Sequence, residues 1–154
     1  MTYNQFIKEY LDKGLLKKQN PDLAAVEKLV LRALKDLTAA RANLAIDEGI
    51  AFTVAYLAML HAGRALMLLK AFRPADGYQH KTVVEFTAYF LGEQFKHIIN
   101  HFDIMRQKRN IFTYEVTISI SRTEAENALN TAVQFVDLIR DMLKKEAPQA
   151  EFKF

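Results

Sequence analysis

The sequence predicts an all-α fold, an antiparallel up-and-down helical bundle of four main helices plus two short helices, in one domain over residues 1–154. Three observations carry this. Apolar residues recur at three-and-four spacing along most of the chain, which is the mark of helices with one buried face. Only five Gly and three Pro occur, too few for the tight turns of an all-β chain. The connections between periodic stretches are mostly short, which makes successive helices antiparallel neighbours. A domain of this length buries roughly 70% of its unfolded surface and needs no covalent or metal staple.

Tyr3, Phe6, Ile7, Tyr10 and Leu11 give a short amphipathic helix within Thr2–Leu16, ended by Gly14, and Lys17-Lys18-Gln19-Asn20 reads as a polar connector. In Asn20-Pro21-Asp22, Asn20 suits the cap, Pro21 the first helical position and Asp22 the positive end of the dipole. Leu23, Val26, Val30, Ala33, Leu37, Ala40 and Leu44 then form a bundle seam, with Glu27, Lys28, Arg32, Lys35 and Asp36 off it and expected in solvent. Asp47-Glu48-Gly49 breaks the pattern. Ile50–Leu69 is apolar on every face, as a central helix must be.

Arg73-Pro74-Ala75-Asp76-Gly77 reads as a turn. Thr82–Leu91 is a short helix buried through Val83, Phe86 and Phe90, and Gly92 separates it from a seam of Phe95, Ile98, Phe102, Met105, Arg109 and Phe112. Val116–Ser121 alternates apolar and polar residues with β-branched types and favours an extended chain. Ser121-Arg122-Thr123-Glu124 is a capping box, and the last seam runs through Ala125, Ala128, Ala132, Phe135, Ile139 and Met142.

Composition narrows the function. The chain has no Cys, which excludes disulfide scaffolds, thiolate metal sites and cysteine nucleophiles. Met1-Thr2-Tyr3-Asn4 lacks a signal-peptide pattern, and the apolar run Ile50–Leu60 is short and followed by His61 and Arg64. The expectation is a cytoplasmic protein with no membrane span. Net charge is +3, which permits nucleic-acid contact without demanding it. Phosphate-binding glycine loops and serine elbows are absent from the sequence.

Two constellations could carry chemistry. In Arg106–Tyr114, Arg109 takes a seam position where an apolar residue belongs, so its guanidinium must meet an acid or line a ligand site. Arg106, Asn110 and Tyr114 follow at spacings of four, and with Arg109 they suit a phosphate or ribose. The competing reading pairs Arg109 with a neighbouring acid and packs Tyr114 on the bundle end. Glu93, His97 and His101 share a helix face but lack a closing fourth ligand, so no zinc site is expected. His61 interrupts an apolar helix and reads as a hydrogen-bonded core histidine, with Arg64 within reach of its pocket, and His80 reads as a helix cap.

Ala55-Tyr56-Leu57-Ala58-Met59-Leu60-His61-Ala62 and then Ala65-Leu66-Met67-Leu68 resemble the tyrosine-containing helix of small prokaryotic HEPN proteins. Phe72–His80 and Val83–Phe86 resemble the turn, histidine and short helix that follow it there. Arg109-Asn110 with Tyr114 resembles the family's arginine–histidine motif in a variant where an aromatic replaces the histidine. The resemblance covers roughly Asp22–Tyr114.

It implies a nucleotide- or RNA-binding protein without a cofactor, a homodimer with the Arg109 region near its interface, and a toxin–antitoxin or stress-response setting beside a nucleotidyltransferase partner. The missing motif histidine puts catalysis in doubt, because Tyr114 is a poor base near neutral pH. The alternatives are a metal-independent ribonuclease using Arg109 and a structural dimerisation adaptor.

Overall fold

Among the described residues, four helices form where a capping side chain precedes an apolar period. The computed structural model describes residues 1–75 and 79–154, with Gln79 described by its backbone alone. The order is α1 (Tyr3–Asp12), β1 (Leu16–Lys18), α2 (Leu23–Asn43), α3 (Glu48–Leu69), β2 (Phe72–Pro74), α4 (Gln79–Leu91), a 3-10 turn (Glu93–Phe95), α5 (Lys96–Tyr114) and α6 (Arg122–Glu146). The fold is the all-α bundle expected, with α2, α3, α5 and α6 as its long members and α1 and α4 as its short ones.

Helix α3 is the axis. It packs against α2, α4, α5 and α6, which explains a sequence with no polar face. It is long and apolar enough to cross a membrane, but 67% of its most apolar window is buried by other helices. At Gly63 the missing side chain lets α4 approach: a Cβ there would meet Val83 Cγ1 at 2.6 Å. At Gly49 the ring of Phe112 fills the same kind of space, 2.2 Å from such a Cβ. The two glycines set how closely α4 and α5 pack on the axis.

Capping explains four of the helix starts. The Ser121–Glu124 capping box is present at α6, and Thr2 with Gln5 forms a second one at α1. Asp47 caps α3. At α2 the cap is Asp22, whose carboxylate accepts from the backbone N–H groups of Ala24 and Ala25. Asn20 and Pro21 therefore lie outside the helix, which starts two positions later than the sequence reading placed it. An acid accepts two orphan donors as well as an amide does and also meets the positive dipole end.

Three further readings need correction. The Lys17–Asn20 connector and the turn at Arg73 contribute to a small antiparallel ribbon, with Leu16 opposite Pro74, Lys17 opposite Arg73 and Lys18 opposite Phe72. Three-residue strands are too short to show a period of two. Leu16 is buried under the ribbon, so pairing follows from tertiary docking. Asp76 and Gly77 of that turn lie outside the described residues. Val116–Ile120 forms a turn and an irregular segment that pairs with no described strand. Its alternation meets no sheet edge: Ile120 enters the core while Val116 is 98% exposed. Asp36, expected in solvent, is buried.

Candidate functional site

A band of polar side chains crosses the middle of α3, from α2 on one side to the start of α4 and the second half of α5 on the other. Tyr56 of α3 is wholly buried, and its hydroxyl lies 2.7 Å from His80 Nδ1 at the start of α4. Their rings are nearly parallel, with centroids 5.6 Å apart. Burial raises the Tyr56 hydroxyl above its ordinary range, a push that outweighs the opposing charges of Arg106 and Arg109. The phenol is therefore protonated at neutral pH, and its O–H donates to Nδ1 of His80. The remaining ring nitrogen, Nε2, then carries the proton. His80 is thus tied to α3 and does not serve as a simple cap.

The surroundings of His80 are cationic. Desolvation lowers its pKa first, followed by the charges of Arg109, Arg106, Arg64 and His61. His80 is held neutral, as a hydrogen-bond donor among positive charges. Three arginines and a second histidine from α3 and α5 thus converge electrostatically on one imidazole.

The two arginines of α5 differ. Arg106 Nε donates to Asp103 Oδ1 at 2.9 Å, so its charge is answered within its own helix. Arg109 has no acidic partner among the described residues. Its Nε is buried without a hydrogen-bond partner, and its guanidinium reaches only Asn110 Oδ1, at 3.4 Å. A buried N–H donor left unused is costly unless another molecule completes it. Helix α5 runs unbroken to Tyr114, so Arg106, Asn110 and Tyr114 share a face as predicted. Tyr114 itself is 81% exposed and stands at the rim, apart from the half-buried Arg109.

On the other side of α3, His61 Nδ1 lies 2.7 Å from Asp36 Oδ2, and Asp36 Oδ1 accepts from Arg32 Nε at 3.0 Å. The carboxylate joins α2 to α3. The reading of His61 as hydrogen-bonded holds, and its partner is the residue that helical periodicity had assigned to solvent. The signal was a lone histidine facing inward from an apolar helix, because such a ring needs a partner and the adjacent seam offers few. Tyr56 was legible as a core aromatic, but nothing local marked its hydroxyl as the anchor of His80.

The rings of His97 and His101 lie 4.5 Å apart between centroids, tilted at 50° to each other. No group of three metal-ligating side chains occurs among the described residues. A surface cavity of about 430 Å³ lies elsewhere, between the start of α1, the end of α4 and the start of α5, and shares no residue with the polar band.

The architecture is that of a helical-bundle protein with a cationic, histidine-bearing band on its central helix. The chain belongs to the HEPN domain family, whose pattern it matches over residues 26–142. That membership associates the chain with nucleotide- or RNA-related function. No curated protein and no solved structure matches the chain. The family match spans α2 through most of α6, and α1 and the first strand of the ribbon precede it.

Proposed function

We propose that the chain binds nucleotide or RNA through phosphate, with Arg109 as the principal contact and Arg106, Asn110 and the Nε2–H of His80 as supporting donors. The observation that carries this is the buried, unpartnered Nε of Arg109. Phosphate oxygens accept from guanidinium forks, and they tolerate a neutral imidazole donor as well as a charged one. Arg64 adds positive potential beside His80, and Tyr114 at the rim offers a flat ring for a base or ribose.

Titration of a labelled single-stranded RNA and of a nucleoside triphosphate tests this. Wild type is expected to bind at least one of them, and Arg109→Ala to lose at least tenfold in affinity, about 1.4 kcal/mol. Tyr114→Phe removes only a hydroxyl and should weaken binding less. Equal affinity in wild type and Arg109→Ala would overturn the reading.

The same reading includes a homodimer. Ile46 and Ile50 near the start of α3, with Ile111, Val116 and Ile118 around the end of α5, are exposed apolar residues at one end of the bundle. Arg122 joins the two loops there by donating to Leu44 O at 2.9 Å. Association through this end would bring the Arg109 regions of two copies near each other, and light scattering at micromolar concentration would show the doubled mass. A cytoplasmic toxin–antitoxin or stress-response role beside a nucleotidyltransferase partner is the biological form this reading takes. Co-purification of such a partner with the chain expressed from its native locus tests it.

A further inference from the structure

The cavity of about 430 Å³ between the start of α1, the end of α4 and the start of α5 differs from the polar band in its chemistry. Its size falls within the range of about 300–1,000 Å³ that small ligands occupy. Tyr3 and Tyr89 line it, together with the apolar side chains of Ala88 and Ile99. Both rings are held in place. Tyr89 stacks on Phe6 at 4.7 Å, and Tyr3 meets Phe86 and Phe90 edge-on at 5.7 and 5.4 Å.

Two acids line the cavity, Glu85 and Glu93. Glu93 is 91% exposed, whereas Glu85 is 27% exposed. Tyr10 donates to Glu85 Oε2 and so fixes that carboxylate. Glu85 Oε1 accepts no hydrogen bond among the described residues, and the exposed Lys81 approaches it only to 3.8 Å. Lys96 is the one basic side chain among the described lining residues, and its ammonium lies 4.0 Å from the exposed carboxylate of Glu93. That charge is answered in solvent, so Glu85 sets the sign of the field within. An oriented carboxylate with an open oxygen, beside aromatic rings, attracts a cation by charge and by ring quadrupole. A bare metal ion would want a shell of oxygen ligands that these side chains do not supply. An ammonium group needs only an acceptor and a surface for its carbon body.

We propose that this cavity binds a small organic cation, a protonated amine on an apolar or aromatic body, with Glu85 as its counter-ion and Tyr3 and Tyr89 flanking it. Tyr3 belongs to α1, which precedes the residues matched by the family pattern, so family membership does not supply this site. Phosphate groups, which suit Arg109, meet two carboxylates here and are turned away.

The test titrates the intact ¹⁵N-labelled chain with phenethylammonium chloride and, separately, with sodium phenylacetate at equal ionic strength. The two probes carry opposite charges on the same ring. Phenethylammonium is expected to shift the backbone amides of Tyr3, Ala88, Tyr89 and Lys96, and phenylacetate to bind at least tenfold more weakly. Glu85→Gln keeps the shape and an acceptor for Tyr10 but removes the charge, and should lose at least tenfold in phenethylammonium affinity. Glu93→Gln should lose about threefold or less, because its charge is exposed and screened. The absence of shifts at these amides up to about 10 mM phenethylammonium overturns the proposal, as does equal affinity for phenylacetate. So does a Glu85→Gln variant that binds as wild type does, or one that loses less than Glu93→Gln. The comparison of the two probes needs only the wild-type chain and decides the matter even where Glu85→Gln does not fold.

Discussion

Phe6 and Tyr56 are both completely buried aromatics, yet their surroundings differ in kind. Phe6 sits between α1 and α4 among rings, stacked on Tyr89 at 4.7 Å and edge-on to Phe86 at 6.3 Å. Tyr3 joins the same cluster against Phe86 and Phe90, and burial lifts its hydroxyl to about 12. Polar atoms there are few, and the hydroxyl of Tyr10 is answered by Glu85. Tyr56 instead spends its hydroxyl on a histidine that faces several cations, of which Arg64 and Arg109 meet no acid among the described residues. The ring cluster fastens the short helices to the bundle through apolar area. The polar band gives up apolar area to hold donors whose partners are not among the described residues, and such a concession marks a site more often than a core.

Changes in the ring cluster should therefore cost stability and spare binding, while changes in the band should do the reverse. The largest effect is expected at Phe6. Phe6→Ala empties a close-packed aromatic site and should lose about 3–5 kcal/mol in denaturant unfolding, with RNA affinity unchanged under conditions where the variant is folded. A variant that lost binding while folded would break the separation of the two regions.

Gly63→Ala comes next. Its Cβ would lie 2.6 Å from Val83 Cγ1, so α4 must move away from α3, at a cost of about 1–3 kcal/mol. Because α4 carries His80, this substitution sharpens the comparison: it should also weaken RNA binding by misplacing that ring. Unchanged stability would show that the α3–α4 approach is slack.

Tyr56→Phe keeps the ring and removes the hydroxyl. The expected loss is about 1 kcal/mol in unfolding, together with weaker RNA binding, because His80 is then free to change tautomer. Loss of stability without loss of binding would move Tyr56 into the class of Phe6.

The smallest effect is the pH dependence of His80. Its folded pKa lies below the ordinary 6.5, so the unfolded chain binds more protons at this residue as pH falls. The contribution of His80 to stability is present above about pH 6.5 and is lost as pH drops below it. Melting curves between neutral and mildly acidic pH should therefore fall less steeply for His80→Gln than for wild type. Parallel curves would show that the ring is not held neutral by its cationic neighbours.

How much of this was legible beforehand depended on distance along the chain. The capping box of α6, the seam of α2 and the all-round apolar α3 are local patterns, and each helix appeared where its pattern lay. Arg109 was legible because it broke such a pattern. The pairings Asp36–His61 and Tyr56–His80 join residues 25 and 24 apart on separate helices, and no periodicity within one helix reports them. Asp36 misled for a definite reason: it adjoins the seam residue Leu37, so a small rotation of α2 decides between solvent and core. The ribbon was missed because three-residue strands carry no period, and their pairing comes from the docking of Leu16 beneath them.

The central claim is that the charge of Arg109 serves a ligand and not the fold. Denaturant unfolding of Arg109→Ala without ligand tests it most directly. Because no described acid pairs with this guanidinium, we expect the unfolding free energy to stay within about 0.5 kcal/mol of wild type, or to rise as a buried, unanswered donor is removed. A loss of about 3–5 kcal/mol, the cost of stranding a buried partner, would contradict it and place Arg109 in the framework of the bundle.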